Sequence, residues 1–284
     1  NLLDHGSYYS FRNRYARMVD RNFGGRRVQI VASYQRLDEL EDILKAFSYR
    51  VQKVDCLDLP KKIYMTRTVE LTKDQQEAYA TMKSAALALL KGKMSTAPHV
   101  LTQLMRLHQI TCGHLKSDDG KITNFKHKRI EELVDVIDEM EGKVIIWANY
   151  VHDIKEITKA LEDEYGEGCV VQYYGEVSAE DRQKAIKEFQ DPNSNVKYFI
   201  GNTQTGGYGI TLTAASNVIY YSNSYDLEKR LQSEDRAHRI GQHKPVTYVD
   251  LIAEKTVDEK IIKALRKKIN IASTIMGDRV QDWI

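Results

Sequence analysis

The chain is 284 residues long and 42% hydrophobic, enough to bury a large core and to hold more than one structural unit. Its formal net charge of +2 is too small to announce a polyanionic partner. The three cysteines, Cys56, Cys112 and Cys169, are odd in number and far apart, which speaks against a disulfide framework and for a reducing, intracellular compartment. No apolar run of about 18 residues is present to span a membrane.

In chain order, the first informative stretch is basic. Arg12, Arg14, Arg17, Arg21, Arg26 and Arg27 crowd together, interleaved with Phe11, Tyr15 and Phe23. Arginines mixed with aromatics can track a phosphate backbone, and they equally describe a helix that packs on another lobe. Residues 36–47 carry Leu37, Leu40, Ile43, Leu44 and Phe47 on one helical face. Residues 62–71 alternate as a half-buried strand does. Thr72 followed three residues later by Gln75 is a capping box, predicting a helix to about residue 91. A soft linker over 92–98 precedes another helix, with Leu101, Leu104, Leu107 and Ile110 on its apolar side. His108, Cys112 and His114 lie close in sequence, but no second cluster completes a tetrahedral site, so no metal is expected. A turn at 117–121 follows. Ile130, Leu133, Val134, Ile137 and Met140 then recur at helical spacing, so Asp138 and Glu139 finish an amphipathic helix and do not end a strand.

From Lys143 onward strands and helices alternate. Residues 144–148, 169–173, 196–200, 217–221 and 246–252 are short apolar runs, as in strands covered on both faces. Helices separate them. One is opened by Ser178 as N-cap with acids in its first turn, and the last runs over roughly 257–275. Such alternation predicts an α/β fold with a doubly wound, mostly parallel sheet and helices on both faces, preceded by a mainly helical N-terminal extension.

The string QSEDRAHRIGQ, residues 232–242, is the most specific in the chain. It places Arg236 and Arg239 three residues apart on a predicted helix, with Gln232 four residues before the first and a Gly-Gln turn behind. Two arginines at this spacing alone describe an ordinary solvated helix face. They also suit stabilisation of charge on a transferring phosphoryl group, because arginine stays charged and offers a planar fork of donors.

The full string resembles motif VI of the Swi/Snf-type ATPases, the DNA-translocating branch of the superfamily-two helicases. FIGNTQTGGYGITLTAASNVIYYSNSYD (199–226) resembles that family's motif V, and KVIIWANY (143–150) its motif IV. YYGEVSAEDRQKAIKEF (173–189) resembles the Gly-to-Arg segment between them, and LMRLHQITCGHL (104–115) the Leu-x-Arg-Leu-x-Gln-Ile block. The resemblance implies a RecA-like lobe at 143–284. It implies a helical protrusion and edge strand of that lobe at 61–142, and the end of a preceding lobe or linker at 1–60. By the same resemblance Arg236 and Arg239 are arginine fingers, with Gln232 orienting them or the attacking water. Gly207, Gly209 and Asp235 are nucleotide-side residues. Asn149, Tyr150, Gly175, Thr203, Gln204 and Gly206 are candidates for DNA backbone contacts. Thr211 stands where family members often carry asparagine.

No G-x-x-x-x-G-K-[ST] occurs, and no strand-borne Asp-Glu follows. Together with Asn1 as first residue, this reads as a piece that follows a first lobe. The expectation is the C-terminal half of an ATP-dependent translocase, inactive alone and monomeric. ATP and Mg²⁺ would be held mainly by the N-terminal RecA-like lobe, and double-stranded DNA by its backbone. A strand-separating helicase of the same superfamily and a non-catalytic DNA- or protein-binding module are the alternatives.

Overall fold

The computed structural model describes residues 5–23, 26–49, 56–91, 97–206 and 209–276. The chain divides into two compact units. One comprises Asn1–Cys56, Ala80–Met105 and Arg266–Ile284, and the other Leu57–Tyr79 and Arg106–Leu265.

The N-terminal part of the first unit holds α1 (Tyr8–Tyr15), β1 (Ala16–Phe23), β2 (Arg26–Tyr34) and α2 (Leu37–Lys45). Ser7 caps α1, its hydroxyl accepting from the Ser10 amide at 3.1 Å. The arginine-rich stretch is therefore helical only as far as Tyr15. Beyond it, β1 and β2 pair antiparallel from Ala16↔Tyr34 to Phe23↔Arg26, with a bulge beside Arg17. Val28, Ile30 and Val31 favour the extended chain, and Gly24-Gly25 between the strands is a hairpin signal that the helical reading passed over. The extension thus adds a strand pair to its helices.

The remaining elements are β3 (Lys62–Val69), α3 (Lys73–Lys91), α4 (Ala97–Thr111), β4 (His114–Lys116), β5 (Ile122–Asn124), α5 (Arg129–Asp138), β6 (Lys143–Trp147), α6 (Val151–Tyr165), β7 (Val170–Tyr173), α7 (Ala179–Gln190), β8 (Tyr198–Gly201), α8 (Thr203–Gly206), β9 (Ala215–Tyr220), α9 (Leu227–Ala237), β10 (Val246–Ala253) and α10 (Val257–Met276). The expected linker at 92–98 lies outside the described residues as far as 96, and α4 already begins at Ala97. The Thr72 capping box forms: the Gln75 side chain accepts from the Thr72 amide, and the Thr72 hydroxyl from the Gln75 amide.

Six strands make one wholly parallel sheet in the order β3-β10-β9-β6-β8-β7. β3 is an edge strand that joins from well before residue 143. Strand alternation sends Val144 and Ile146 of β6 to one face, against Ile154, Ile157 and Leu161 of α6 and Leu133 and Ile137 of α5. Ile145 and Trp147 go to the other, with Phe189 and Ala185 of α7 and Ala237 of α9. Helices therefore cover both faces, which is why these strands read as unbroken apolar runs. Among the described residues no helix is long and apolar enough to cross a membrane.

One buried ion pair joins several of these elements. Arg129, fully buried at the start of α5, pairs with Asp258 in the first turn of α10. It also donates to the backbone carbonyls of Thr111 at 3.1 Å and Leu251 at 3.2 Å. Asp258 in turn accepts from the Thr111 hydroxyl at 2.8 Å and the Ala253 amide at 3.1 Å. Burial works to raise the Asp258 carboxyl, but the Arg129 charge overrides it and holds the group below its ordinary value. His108 is shifted down, chiefly by burial.

Two outcomes follow from this pair. Asp258→Ala leaves the Arg129 charge buried without its partner and should cost about 3–5 kcal/mol, read as a lower denaturation midpoint. Stability should also fall with acid. His108, whose pKa is depressed, opposes folding once pH drops below its unfolded value of about 6.5, and Asp258 does so below about 4. The thermal midpoint should be level above about pH 7 and decline steadily beneath it. A midpoint held constant to about pH 3 contradicts this account.

Candidate functional site

The arginine motif sits at the end of α9. Asp226 caps that helix, its side chain accepting from the Lys229 amide at 3.2 Å. The helix is pinned by its inner face. Arg230 is buried and donates to Asp250 on β10, to Asn223 at 2.7 Å and to Glu234 one turn on at 2.9 Å. Its guanidinium carbon lies 3.4 Å from the Tyr220 ring centroid. Glu234 also accepts from Lys62 at 3.0 Å and from the Tyr64 hydroxyl at 2.6 Å, both on β3. Burial pushes the Glu234 carboxyl up, and the Arg230 and Lys62 charges with the Tyr64 hydrogen bond outweigh it, so the group stays ionised.

The outer side of the motif is different. The helix ends at Ala237, so Arg239 lies beyond it, in the turn, and not on the same helical face as Arg236. The two side chains nevertheless converge: each donates an Nη1 hydrogen to the Ile210 carbonyl, at 3.2 Å in both cases. The Arg236 Nε is held by the Gln232 carbonyl at 2.8 Å. Both arginines are half-buried and, among the described residues, neither forms an ion pair. Partial burial lowers the Arg236 pKa first, the Arg239 charge adds to that, and Asp235 only partly offsets it. Two guanidiniums held this close with so little carboxylate to balance them have the charge and the donor fork that an anion could use.

The turn that carries Arg239 is fixed by Gln242. Its buried amide donates to the carbonyls of Ala215 at 2.8 Å, Thr213 at 3.3 Å and Ala237 at 3.3 Å. Its oxygen accepts from the His243 and Lys244 amides, both at 3.0 Å. Gly241 adopts φ 97°, open to glycine at no cost. Gln232, by contrast, spends its side chain on Glu228 at 2.8 Å and holds Arg236 through its backbone, so the structure gives its amide no direct hold on either arginine.

A second group of candidates lies at the carboxyl ends of the parallel strands, where open α/β sheets place ligands. Asn149 follows β6, Gly175 follows β7, and Thr203 and Gln204 open α8 just after β8. Asn202, which the sequence reading did not single out, ties them together. Its amide donates to the Asn149 carbonyl at 2.8 Å and its oxygen accepts from the Gln204 amide at 2.7 Å. Ser222 after β9 adds a hydroxyl that accepts from the Asn149 amide at 2.8 Å. Gly175 and Gln204 are exposed.

Two of the predicted contacts have other employment. The Tyr150 hydroxyl bonds His108 Nδ1 at 2.9 Å, and its ring packs on His108 and His114. Its side chain is therefore tied to α4 and the segment behind it. Gly206 is buried, and a Cβ there would come within 2.5 Å of the Trp147 indole. Packing against that ring by itself requires a glycine there. Gly209 is exposed with φ 69° and open space around it, whereas Gly207 lies outside the described residues. His114, once weighed as a metal ligand, faces Asp153 at 3.0 Å, and no metal-binding group is found among the described residues.

Comparison with known proteins agrees with this architecture. The helicase conserved C-terminal domain matches residues 126–241. The human SWI/SNF-related matrix-associated actin-dependent regulator of chromatin subfamily A member 1 is 31% identical over 257 residues, covering 84% of this chain and 24% of the relative. The Arabidopsis thaliana ATP-dependent DNA helicase DDM1 is 27% identical, covering 89% of this chain and 34% of the relative. The chain thus spans only about a quarter to a third of the length of these two relatives. Among solved structures, the Sulfolobus solfataricus SWI2/SNF2 ATPase core domain superposes with a TM-score of 0.60 at 25% identity, covering 99% of this chain and 56% of that one. The C-terminal part of the Fun30 ATPase domain also gives a TM-score of 0.60, at 20% identity, with 73% and 90% covered. The chain carries the helicase conserved C-terminal domain, and over most of its length it resembles the C-terminal lobe of the Swi/Snf-type ATPases.

Proposed function

We propose that this chain is the arginine-bearing half of an ATP-hydrolysing motor that moves along double-stranded DNA. The carrying observation is the pair Arg236 and Arg239, half-buried and sharing one carbonyl, with no ion pair of their own among the described residues. In this reading the γ-phosphoryl group of ATP, bound with Mg²⁺ on a P-loop lobe, supplies the missing negative charge when the two lobes close. This chain's part is electrostatic. The guanidiniums balance charge on the equatorial oxygens, and the Gln242-braced turn sets their distance. Gln232 acts through its backbone hold on Arg236, and Gly209 with Asp235 borders the nucleotide.

The DNA backbone is read as running across the strand ends, contacted by Asn149, Gly175, Thr203 and Gln204. Such contacts fix position without reading sequence, so binding should be nearly sequence-independent and strongly salt-dependent. Residues 143–284 are taken as the motor lobe proper, 61–142 as its edge strand and protrusion, and 1–60 as the end of the preceding lobe. The working unit is read as a monomer in an intracellular compartment. That the human relative is named a regulator of chromatin is in keeping with a DNA substrate.

Arg239→Ala or Arg236→Ala in the intact protein should lower DNA-stimulated ATP turnover by about 10³–10⁵, with nucleotide affinity changed far less. Lysine should rescue poorly, because it lacks the planar fork. Unchanged turnover would favour a non-catalytic module that merely kept the fold. The 284-residue chain by itself should hydrolyse no ATP above background, with or without DNA. Sustained turnover by the purified chain contradicts the division of labour between lobes.

A further inference from the structure

The arginine-rich stretch near the N-terminus takes no part in the reading above. Over residues 5–34 six arginines stand against a single acid, Asp20, while Asp38, Glu39, Glu41 and Asp42 are gathered in the α2 region. Among those whose side chains are described, two are engaged. Arg14 binds Glu39, and Arg12 donates to Gln29 at 3.0 Å while lying 5.1 Å over the Tyr9 ring. Arg17, Arg21 and Arg27 are exposed and, among the described residues, make no side-chain hydrogen bond or ion pair.

Their placement follows from the register. Strand alternation puts Arg17 and Arg21 on one face of the β1–β2 ribbon. Arg27, opposite Asn22, is on the other. Residues 20–22 and 27–29 are all exposed, so the outer end of the ribbon has neither face covered. An isolated two-stranded ribbon is marginal in water and gains from a partner. The exposed Val28 and Val31 would serve a protein partner, but six arginines against one aspartate favour a polyanion. The major groove of duplex DNA, about 12 Å wide, admits a two-stranded ribbon. Arginines on both faces of such a ribbon would meet phosphates on both groove walls.

We propose that the outer half of the β1–β2 ribbon is a second duplex-DNA-binding element, with Arg17, Arg21 and Arg27 on backbone phosphates. It rests on the reading of this chain as DNA-engaging, yet is separate from the strand-end contacts. The test is binding of the 284-residue chain to a short fluorescent duplex of mixed sequence, titrated between about 50 and 200 mM salt. Replacing all three arginines by glutamine should weaken binding at least about tenfold and flatten the dependence of log K on log salt by about 0.9 per lost contact. The triple lysine variant should keep most of the affinity, and an unchanged thermal midpoint shows that each variant is folded. Glutamine replacements that leave affinity and slope untouched overturn the proposal, as does an unaltered chain that fails to bind the duplex. A Thr203→Ala, Gln204→Ala double variant reads the other surface. Weakening there, with the ribbon variant unaffected, removes the ribbon and leaves the strand-end reading intact. In the intact protein, loss of ATP turnover at saturating DNA with DNA affinity unchanged would assign the ribbon to a protein contact and overturn the proposal.

Discussion

The buried guanidinium of Arg230 sits between Asp250 on the sheet and Glu234 on its own helix, and the position of the whole arginine motif depends on it. α9 has an inner face of Arg230, Ser233, Glu234 and Ala237, all buried, and an outer face of Gln232, Asp235 and Arg236. The inner contacts reach two neighbouring strands, through Asp250 on β10 and through Lys62 and Tyr64 on β3. Hydrophobic packing alone would leave a helix some freedom to slide. A cluster of charges that must each find a partner leaves far less, because a displaced member would be buried and unpaired at a cost of several kcal/mol. The outer face thereby inherits a fixed height and rotation.

The segment from Asn202 to Ala215 joins the two halves of the candidate site. At its start, Asn202 bonds Asn149 at the strand ends. In its middle, the Ile210 carbonyl receives both arginines, and the Leu212 amide donates to the Arg236 carbonyl at 2.9 Å. At its end, the Ala215 carbonyl receives Gln242. The described residues of this segment thus touch both halves of the candidate site. Trp147 packs against its start, filling the space where Gly201 and Gly206 lack a Cβ.

Much of this was legible because the lobe obeys local rules. Each apolar run from Lys143 onward became a strand, and the serine and threonine caps formed where their spacing put them. What escaped depended on partners distant in sequence. Asp250 is a lone acid in an otherwise apolar strand, a sign that a buried cation must face it, but nothing local named Arg230. Tyr150 stands in a motif that suggested an outward contact, while His108, over forty residues earlier, draws its hydroxyl inward. The arginine motif reads as one helix, yet its last intrahelical turn closes at His238, and Arg239 reaches Ile210 from the turn instead. The N-terminal strands were hidden by arginines, which suit helices as well as exposed ribbons.

Four arginines in this lobe show how compensation separates scaffold from site. Arg129 and Arg230 are the more deeply buried, and each meets a carboxylate together with further hydrogen-bond acceptors. Their charges are fully answered inside the fold, so they can recruit nothing further. Arg236 and Arg239 are less buried but share one neutral carbonyl, and partial burial first, with the Arg239 charge second, depresses the Arg236 pKa. A fold selected for stability alone would turn such side chains to solvent or place an acid beside them, as it did for Arg230 with Glu234. Instead the Gln242 turn and the Gln232 carbonyl hold them together against their mutual repulsion. Under the proposed function, two like charges kept close by neutral hydrogen bonds gain more from an arriving anion than side chains already paired inside the fold would. That difference in free energy is what a two-lobed nucleotide clamp needs in order to favour closure around a phosphoryl group over closure around nothing.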